Sequence, residues 1–312
     1  MSESLLSIIG DKPLNELFTH WQPIPIDANS REWLDLPPDS FLEFARSCPD
    51  NEMWSIPPQE NYRKQPNFLL SQVHRAWVST NFVKNHCTAS DSILDLGSFP
   101  FIVPITLRRF FGHSGNIHAT VIQPLSESSI ELLDEINVGF EQLDLDPYVF
   151  DSSRGDRLPT RLQLRDNSQD ICTLFHVIEH LYHPMRVLHE AHRVLKPGGK
   201  LLITTDNGGM LNIFQNIISN YGYIFEPVET TAAMTVHDWR GHVRFFTDRD
   251  LNVMLERAGF RVATFHFREI FYDVLYDEYF VDNEIKIAEW RIEILKNYPQ
   301  FRNDILVVAE KI

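Results

Sequence analysis

The sequence predicts an α/β fold, an open and mostly parallel sheet with helices on both faces. Three observations lead there. Between Ser92 and Lys200, short apolar runs of strand length alternate with amphipathic stretches of helix length. The runs SILDL (92–96), DICTLF (170–175) and LLITT (201–205) carry few polar residues, as expected of strands buried on both faces. Gly or Pro punctuation separates the elements, with Gly112 after one helix and Lys196-Pro197-Gly198-Gly199 after another.

The elements follow in order. Phe68, Leu69, Val73, Trp77, Phe82 and Val83 mark an amphipathic helix leading into the first strand, 92–96. Residues 102–111 form a helix with Leu and Phe on one face. Residues 118–122 form the second strand, 126–138 a helix, 147–150 the third strand and 170–175 the fourth. In 184–195, Met185, Leu188, Ala191 and Leu195 share a helical stripe, and 201–205 is the fifth strand. Residues 206–242, rich in Gly, Asn and aromatic residues, read as an inserted lid, since loops of that length in compact domains usually serve function. A helix over 248–258, strands over 261–267 and 305–310, and a helix near 284–295 complete the chain. Residues 1–65, rich in Pro and Trp, read as a helical and irregular cap on a domain spanning 66–312.

Composition narrows the function. The 312 residues carry a formal net charge of −15, which repels a phosphate backbone and disfavours nucleic acid as a partner. No apolar run reaches the roughly 20 residues that span a bilayer, and the N-terminus has no basic start before an apolar core, so a cytoplasmic protein without membrane insertion is expected. Cys48, Cys87 and Cys172 show no CxxC spacing and read as reduced thiols. Nothing in the sequence fixes an oligomeric state.

The motifs carry the chemistry. Ile93-Leu94-Asp95-Leu96-Gly97 closes a strand and opens a helix. Phe175-His176-Val177-Ile178-Glu179-His180-Leu181 follows the fourth strand, Leu195-Lys196-Pro197-Gly198-Gly199 precedes the fifth, and Ala258-Gly259-Phe260 closes a later helix. In this order they resemble the class I S-adenosylmethionine-dependent methyltransferases, in particular the small-molecule branch near the ubiquinone-biosynthesis O-methyltransferases. The resemblance covers about residues 90–312. It implies a Rossmann-like sheet with an antiparallel last strand, S-adenosyl-L-methionine as cofactor, and methyl transfer to a hydroxyl or amine of a small-molecule or glycan acceptor.

Ligands of this kind sit outside the carboxyl ends of the strands. The resemblance places the cofactor against Gly97 and Ser98, with Asp95 ordering their loop, Gln123 at the ribose, Asp151 at the adenine amino group, and Phe175 at the end of the fourth strand. Two positions depart from the family pattern. Gly97-Ser98-Phe99-Pro100-Phe101 lacks a second Gly, and Gln123 stands where an acid is usual. They favour the rival reading, a non-catalytic binding or scaffold protein on the same sheet. His176 and His180 are the candidate general bases. Tyr182, His183, Tyr221, Tyr223, Trp239 and His242 are candidates for the acceptor side.

His176-Val177-Ile178-Glu179-His180 also spells the inverted zinc-peptidase motif, but it follows a parallel strand and Pro184 closes it within about a turn. Some relatives in the resembled group carry E-x-x-E-H here, with a later His, and bind a divalent ion. This chain has His176 in place of the first Glu. No metal is assigned. Glu179 and His180, with His242 or His237, are the candidates for one.

Overall fold

The computed structural model describes residues 22–25, 34–48, 68–147, 159–213, 242–270, 284–287 and 289–312. Its centre is a seven-stranded sheet of β1 (Ile93–Leu96), β2 (Ile117–Val121), β3 (Val138–Gln142), β4 (Gln169–Phe175), β5 (Leu195–Asp206), β6 (Phe260–Arg268) and β7 (Asp304–Lys311). The spatial order is β3-β2-β1-β4-β5-β7-β6. Strands β1 to β5 pair in parallel, and β7 runs antiparallel to both β5 and β6. The expected sheet, parallel with an antiparallel last strand, is what the chain forms.

Seven helices of eight residues or more frame the sheet among the described residues: α1 (Asp39–Ser47), α2 (Val73–His86), α3 (Ile102–Arg109), α4 (Glu127–Glu135), α5 (Pro184–Val194), α6 (Asp248–Arg257) and α7 (Glu289–Asn297). Strand alternation divides the core in two. Ile93, Leu202, Leu306 and Val308 pack on one face with Val73, Val83, Ile105 and Leu107 from α2 and α3. Leu94, Leu96, Leu201, Ile203, Ile305 and Val307 pack on the other with Leu188, Ala191, Leu251 and Leu255 from α5 and α6. The N-terminal segment joins the first face, where the Phe41 ring lies 5.2 Å from Trp77 and 5.1 Å from Phe110.

Three elements differ from their sequence reading. Val138–Gln142 is a strand where none was expected, and the helix before it ends at Glu135; the strand expected at 147–150 lies, beyond residue 147, outside the described residues. Asn137 turns the chain with φ 53°, and the short strand it opens carries only two apolar residues, Val138 and Phe140, on either side of Gly139. A side chain at 139 would meet His118 Nδ1 at 3.0 Å, so the small residue has a packing cause. Second, Glu284–Ile287 is a strand rather than the start of a helix, and it pairs antiparallel with Gln22–Pro25. Third, β5 begins at Leu195, earlier than expected. Lys196-Pro197-Gly198-Gly199 does end α5, but through an irregular β segment in which Leu195 pairs with Gln169.

The 206–242 insertion leaves the sheet at Asp206, the last residue of β5, and an isolated bridge holds its two ends near each other. Asn207 forms a parallel bridge with Phe246, and Gly208 N–H donates to the Phe246 carbonyl at 2.8 Å. The middle of that segment, including Tyr221, Tyr223, His237 and Trp239, and most of residues 1–65 lie outside the described residues. No helix among the described residues is long and apolar enough to cross a membrane.

Candidate active site

The parallel strands end together along one edge, and four segments there carry the candidate residues. The first is the loop after β1. Asp95 is buried, and its two carboxylate oxygens accept the Ser98 hydroxyl at 2.5 Å and the Thr173 hydroxyl at 2.5 Å. Burial raises the Asp95 pKa to about 6 against those two hydrogen bonds. Ser98 also gives its N–H to the Thr120 carbonyl at 2.8 Å, and Gly97 gives its N–H to Thr120 Oγ1 at 2.9 Å. These groups clasp the loop from beneath. The Asp95 carboxylate and the Ser98 hydroxyl and N–H therefore all have partners within the protein.

Gly97 has φ 71°, in the left-handed region that favours glycine, and a Cβ there would lie 2.6 Å from Val177 Cγ2. The glycine lets the loop after β1 close on the loop after β4. Beyond it Phe99 is 39% exposed, so the aromatic ring that replaces the usual second Gly faces outward.

The second segment follows β2, where Gln123 stands exposed with its amide available. The third follows β3. Asp151 lies outside the described residues, and Asp144 stands just past the end of β3. The alternation at Val138, Phe140 and Gln142 was the signal for it. Farther on, fully buried Asp146 accepts the Tyr182 and His183 N–H groups and pairs with His183 Nδ1 at 2.9 Å. This ties the end of β3 to the entrance of α5.

The fourth segment is the turn after β4. Phe175 ends the strand half-buried, its ring 6.3 Å from Phe82 of α2. His176 follows with φ 51° and does not present itself to a ligand. Its side chain is 4% exposed, with Nδ1 3.2 Å from Glu179 Oε1 and Nε2 2.9 Å from Asp304 Oδ2. Burial and the Arg75 charge oppose a charged ring, yet Asp304 and Glu179 outweigh them and hold the His176 pKa up at about 9. The candidate base at 176 is thus enclosed between two carboxylates, where a reacting group cannot reach it. Asp304, on the distant strand β7, escaped the sequence reading because no local pattern links it to residue 176.

Glu179 is fully buried. Its second oxygen accepts the Thr205 hydroxyl at 2.9 Å, and burial acts against its charge, but the His176 contact prevails and lowers its pKa. His180, next in the turn, is half-buried, and its ring centroid lies 4.6 Å from that of His242. His242 Nε2 is 3.5 Å from Asp206 Oδ2, at the end of β5. Burial, followed by the neighbouring His180, lowers the His242 pKa to about 4, so its ring is neutral at pH 7. Burial also raises the Asp206 pKa.

Glu179, His180 and His242 each bring one donor atom within 4.8 Å of the others, a spacing that a cation could bridge. The surroundings do not fit a divalent ion. One Glu179 oxygen accepts the Thr205 hydroxyl and the other faces His176 Nδ1 at 3.2 Å, so a protonated ring there would stand beside the ion and repel it.

The comparisons with known proteins bear on this edge. A family model described as a methyltransferase domain matches residues 113–264. The ubiquinone/menaquinone biosynthesis C-methyltransferase UbiE of Bdellovibrio bacteriovorus is 26% identical over 176 residues, 53% of this chain and 68% of that protein. The protein of the same name from Legionella pneumophila (strain Philadelphia 1) is 24% identical, covering 66% of this chain and 81% of its own length. These matches support a class I S-adenosylmethionine-dependent methyltransferase. A solved complex between the Haloferax volcanii Trm112 methyltransferase activator and a putative methyltransferase aligns at 17% identity, covering 77% of this chain and 90% of that one, with TM-score 0.48.

The cofactor of this methyltransferase is S-adenosylmethionine, and the residues present fit it. A glycine loop held from beneath, an exposed amide beyond β2 and a carboxylate beyond β3 match a ligand with ribose hydroxyls and an amino-bearing base. The enzyme reading stands over the scaffold alternative. Phe99, Pro100 and Gln123 are variations within a methyltransferase.

Proposed function

We propose that this methyltransferase acts on a hydroxyl of a small-molecule acceptor, a glycan included, with His180 as the general base. S-adenosylmethionine, when bound, supplies an electrophilic methyl group on a sulfonium. The chain's own residues must hold an acceptor in line with that methyl group, exclude water and take up a proton. The observation that carries the reading is the His180–His242 pair at the ends of β4 and β5. A half-buried imidazole stands there beside a neutral one, on a turn anchored by buried Glu179.

Gly97, Gln123, the Phe175 backbone and Asp144 or Asp151 would contact the cofactor, while Asp95 and Ser98 shape its loop. Residues 1–65 and the 206–242 insertion would set the choice of acceptor. Nitrogen is the second acceptor atom. Carbon is a third, favoured by the C-methyltransferase names of the relatives. Removing the proton of a phenolic hydroxyl makes the adjoining ring carbons nucleophilic too, so the same base serves either outcome.

The test is direct. Calorimetric titration with S-adenosylhomocysteine should show one site per chain, and labelled S-adenosylmethionine incubated with a panel of phenols, sugars and amines should label a hydroxyl compound. Absence of S-adenosylhomocysteine binding would overturn the assignment. Transfer to amines alone would overturn the hydroxyl.

A further inference from the structure

Three carboxylates converge behind the His180–His242 pair. Asp304 comes from β7, Glu179 from the turn after β4 and Asp206 from the end of β5, and all three are buried. His176 is the imidazole among them. Its two ring nitrogens face different carboxylates, Nδ1 toward Glu179 at 3.2 Å and Nε2 toward Asp304 at 2.9 Å. A neutral imidazole has one N–H and one lone pair, so it can satisfy only one of two facing carboxylates. A doubly protonated ring satisfies both. Its donor atoms, with those of Glu179 and Asp206, also form a second group close enough to surround a cation.

We infer that the His176 imidazolium is the resident cation of this site, occupying the electrostatic place that a divalent ion takes among carboxylates and acting as a positioning residue for Glu179 and His180. The inference rests on the proposed role of His180. It also departs from the divalent ion that the resemblance implies for the E-x-x-E-H pattern, because His176 replaces the carboxylate that would draw such an ion in.

Each carboxylate reaches the ring from a different part of the chain. Asp304 anchors the ring to the last strand. The ring anchors Glu179, whose other oxygen takes the Thr205 hydroxyl at 2.9 Å and whose backbone carbonyl accepts Val243 N–H at 2.8 Å. Glu179 therefore holds both the turn that bears His180 and the backbone next to His242. The backbone at 176 is in the left-handed region, φ 51°, a conformation uncommon for residues other than glycine. The other charged or titratable groups that act on the cluster are His74 and Arg75 from α2, His180 and His242. Arg75 opposes the ring charge, and the carboxylates outweigh it.

The test uses the full chain in three measurements. The first is long-range nitrogen–proton spectroscopy of labelled protein at pH 8, with the His176 signals assigned by their loss in His176→Gln. Both ring nitrogens should be protonated in the wild type, and the ring should become neutral in Asp304→Asn. A neutral His176 ring in the folded wild type would overturn the inference. The second is melting temperature against pH. A ring pKa raised above the unfolded value gives stability that is complete below about pH 6.5 and lost as pH rises through about 9. Wild type should lose that increment over this window and His176→Gln should not; parallel profiles would reject a charged His176. The third is a Mn²⁺ titration followed by melting temperature. Wild type should be unaffected, whereas His176→Glu, which replaces the cation by a fourth carboxylate, should melt lower and recover with Mn²⁺. Stabilisation of wild type by Mn²⁺ would overturn the inference even if His176→Glu does not fold. S-adenosylhomocysteine titration of the same wild-type sample separates the two claims, since its failure removes the transferase role of the site and leaves the charge state of His176 as measured.

Discussion

Val243 donates its backbone N–H to the carbonyl of Glu179 at 2.8 Å, joining the far end of the 206–242 insertion to the turn after β4. This link sets the neighbouring His242 ring 4.6 Å from His180. Residues 62 positions apart thus share one site because a buried carboxylate fixes the turn and a backbone hydrogen bond fixes the return strand of chain. The first consequence concerns Glu179 itself. Glu179→Ala should lower the melting temperature and weaken any His180-dependent activity together, since it leaves the buried His176 charge with one partner fewer. Far-ultraviolet dichroism and a thermal melt check the first effect, and an unchanged melt would show that the anchor is dispensable.

Gly97 is the next position. Any side chain there must adopt a left-handed conformation, which costs about 1–2 kcal/mol. It must also enter the space of Val177, 2.6 Å from the Cβ position. Gly97→Ala should destabilise the protein and weaken S-adenosylhomocysteine binding. The double variant Gly97→Ala with Val177→Ala should regain part of the loss, since it removes the clash and keeps the backbone strain. Equal melting temperatures for the single and double variants would show that Val177 is not what the glycine accommodates.

Asp95 gives a separable effect. Asp95→Ala leaves the Ser98 and Thr173 hydroxyls without their acceptor in a buried place, a cost of about 1–3 kcal/mol. The loop after β1 should then lose its fixed shape, and cofactor affinity should fall with it. Ser98→Ala, which removes one of the two bonds, should fall between wild type and Asp95→Ala in both melting temperature and S-adenosylhomocysteine affinity.

The strands 92–96, 170–175 and 201–205, the helix 184–195 and the glycine loop were legible because each is a local pattern. Period, punctuation and order sufficed. The third strand was not, since its five residues carry only two apolar ones, Val138 and Phe140, and Asn137 ends the preceding helix without a Gly or Pro. The pairing of Gln22–Pro25 with Glu284–Ile287 joins segments more than 250 residues apart, and neither segment alone shows it. The site divides the same way. Glu179, His180 and His242 could be gathered from the motif and the later histidine. The fate of His176 could not, because its partner Asp304 lies on the last strand and is specified only by the register of β7 against β5, where Asp304 stands opposite Asp206.

His74 yields a prediction of stability against pH. It is fully buried in α2, and its Nε2 lies 2.9 Å from the Leu34 carbonyl, which ties the N-terminal segment to the domain. Burial lowers its pKa to about 4, against smaller opposing effects from that carbonyl and from Asp35. The folded protein therefore binds fewer protons than the unfolded chain between about pH 6.5 and 4. The stability His74 confers is complete above the unfolded value and is lost as pH falls through the folded one, about 3 kcal/mol over the window. Urea unfolding at pH 7, 5.5 and 4.5 should show His74→Gln losing less stability on acidification than wild type. Parallel losses would show that the ring does not titrate with folding.

His180 is where the chemistry is tested. If it accepts the acceptor's proton, His180→Ala should leave S-adenosylhomocysteine affinity unchanged, because no cofactor contact is assigned to it, and should lower the methyl-transfer rate by about 100- to 10,000-fold. His180→Gln keeps a hydrogen-bonding side chain but no base of useful strength, so it should resemble Ala in rate and exceed it in acceptor affinity. His242→Ala tests the neighbour. With its pKa near 4, His242 is already neutral, and its loss removes ring contact and part of the acceptor wall rather than a proton acceptor. It should therefore raise KM for the acceptor more than it lowers kcat. The pH profiles separate the two residues further. The wild-type enzyme and His242→Ala should share one pH profile. The His180→Ala residual rate should rise only as the free hydroxyl ionises. A His180→Ala enzyme with the wild-type profile would remove His180 from the proton transfer and leave the pair as a wall of the acceptor pocket.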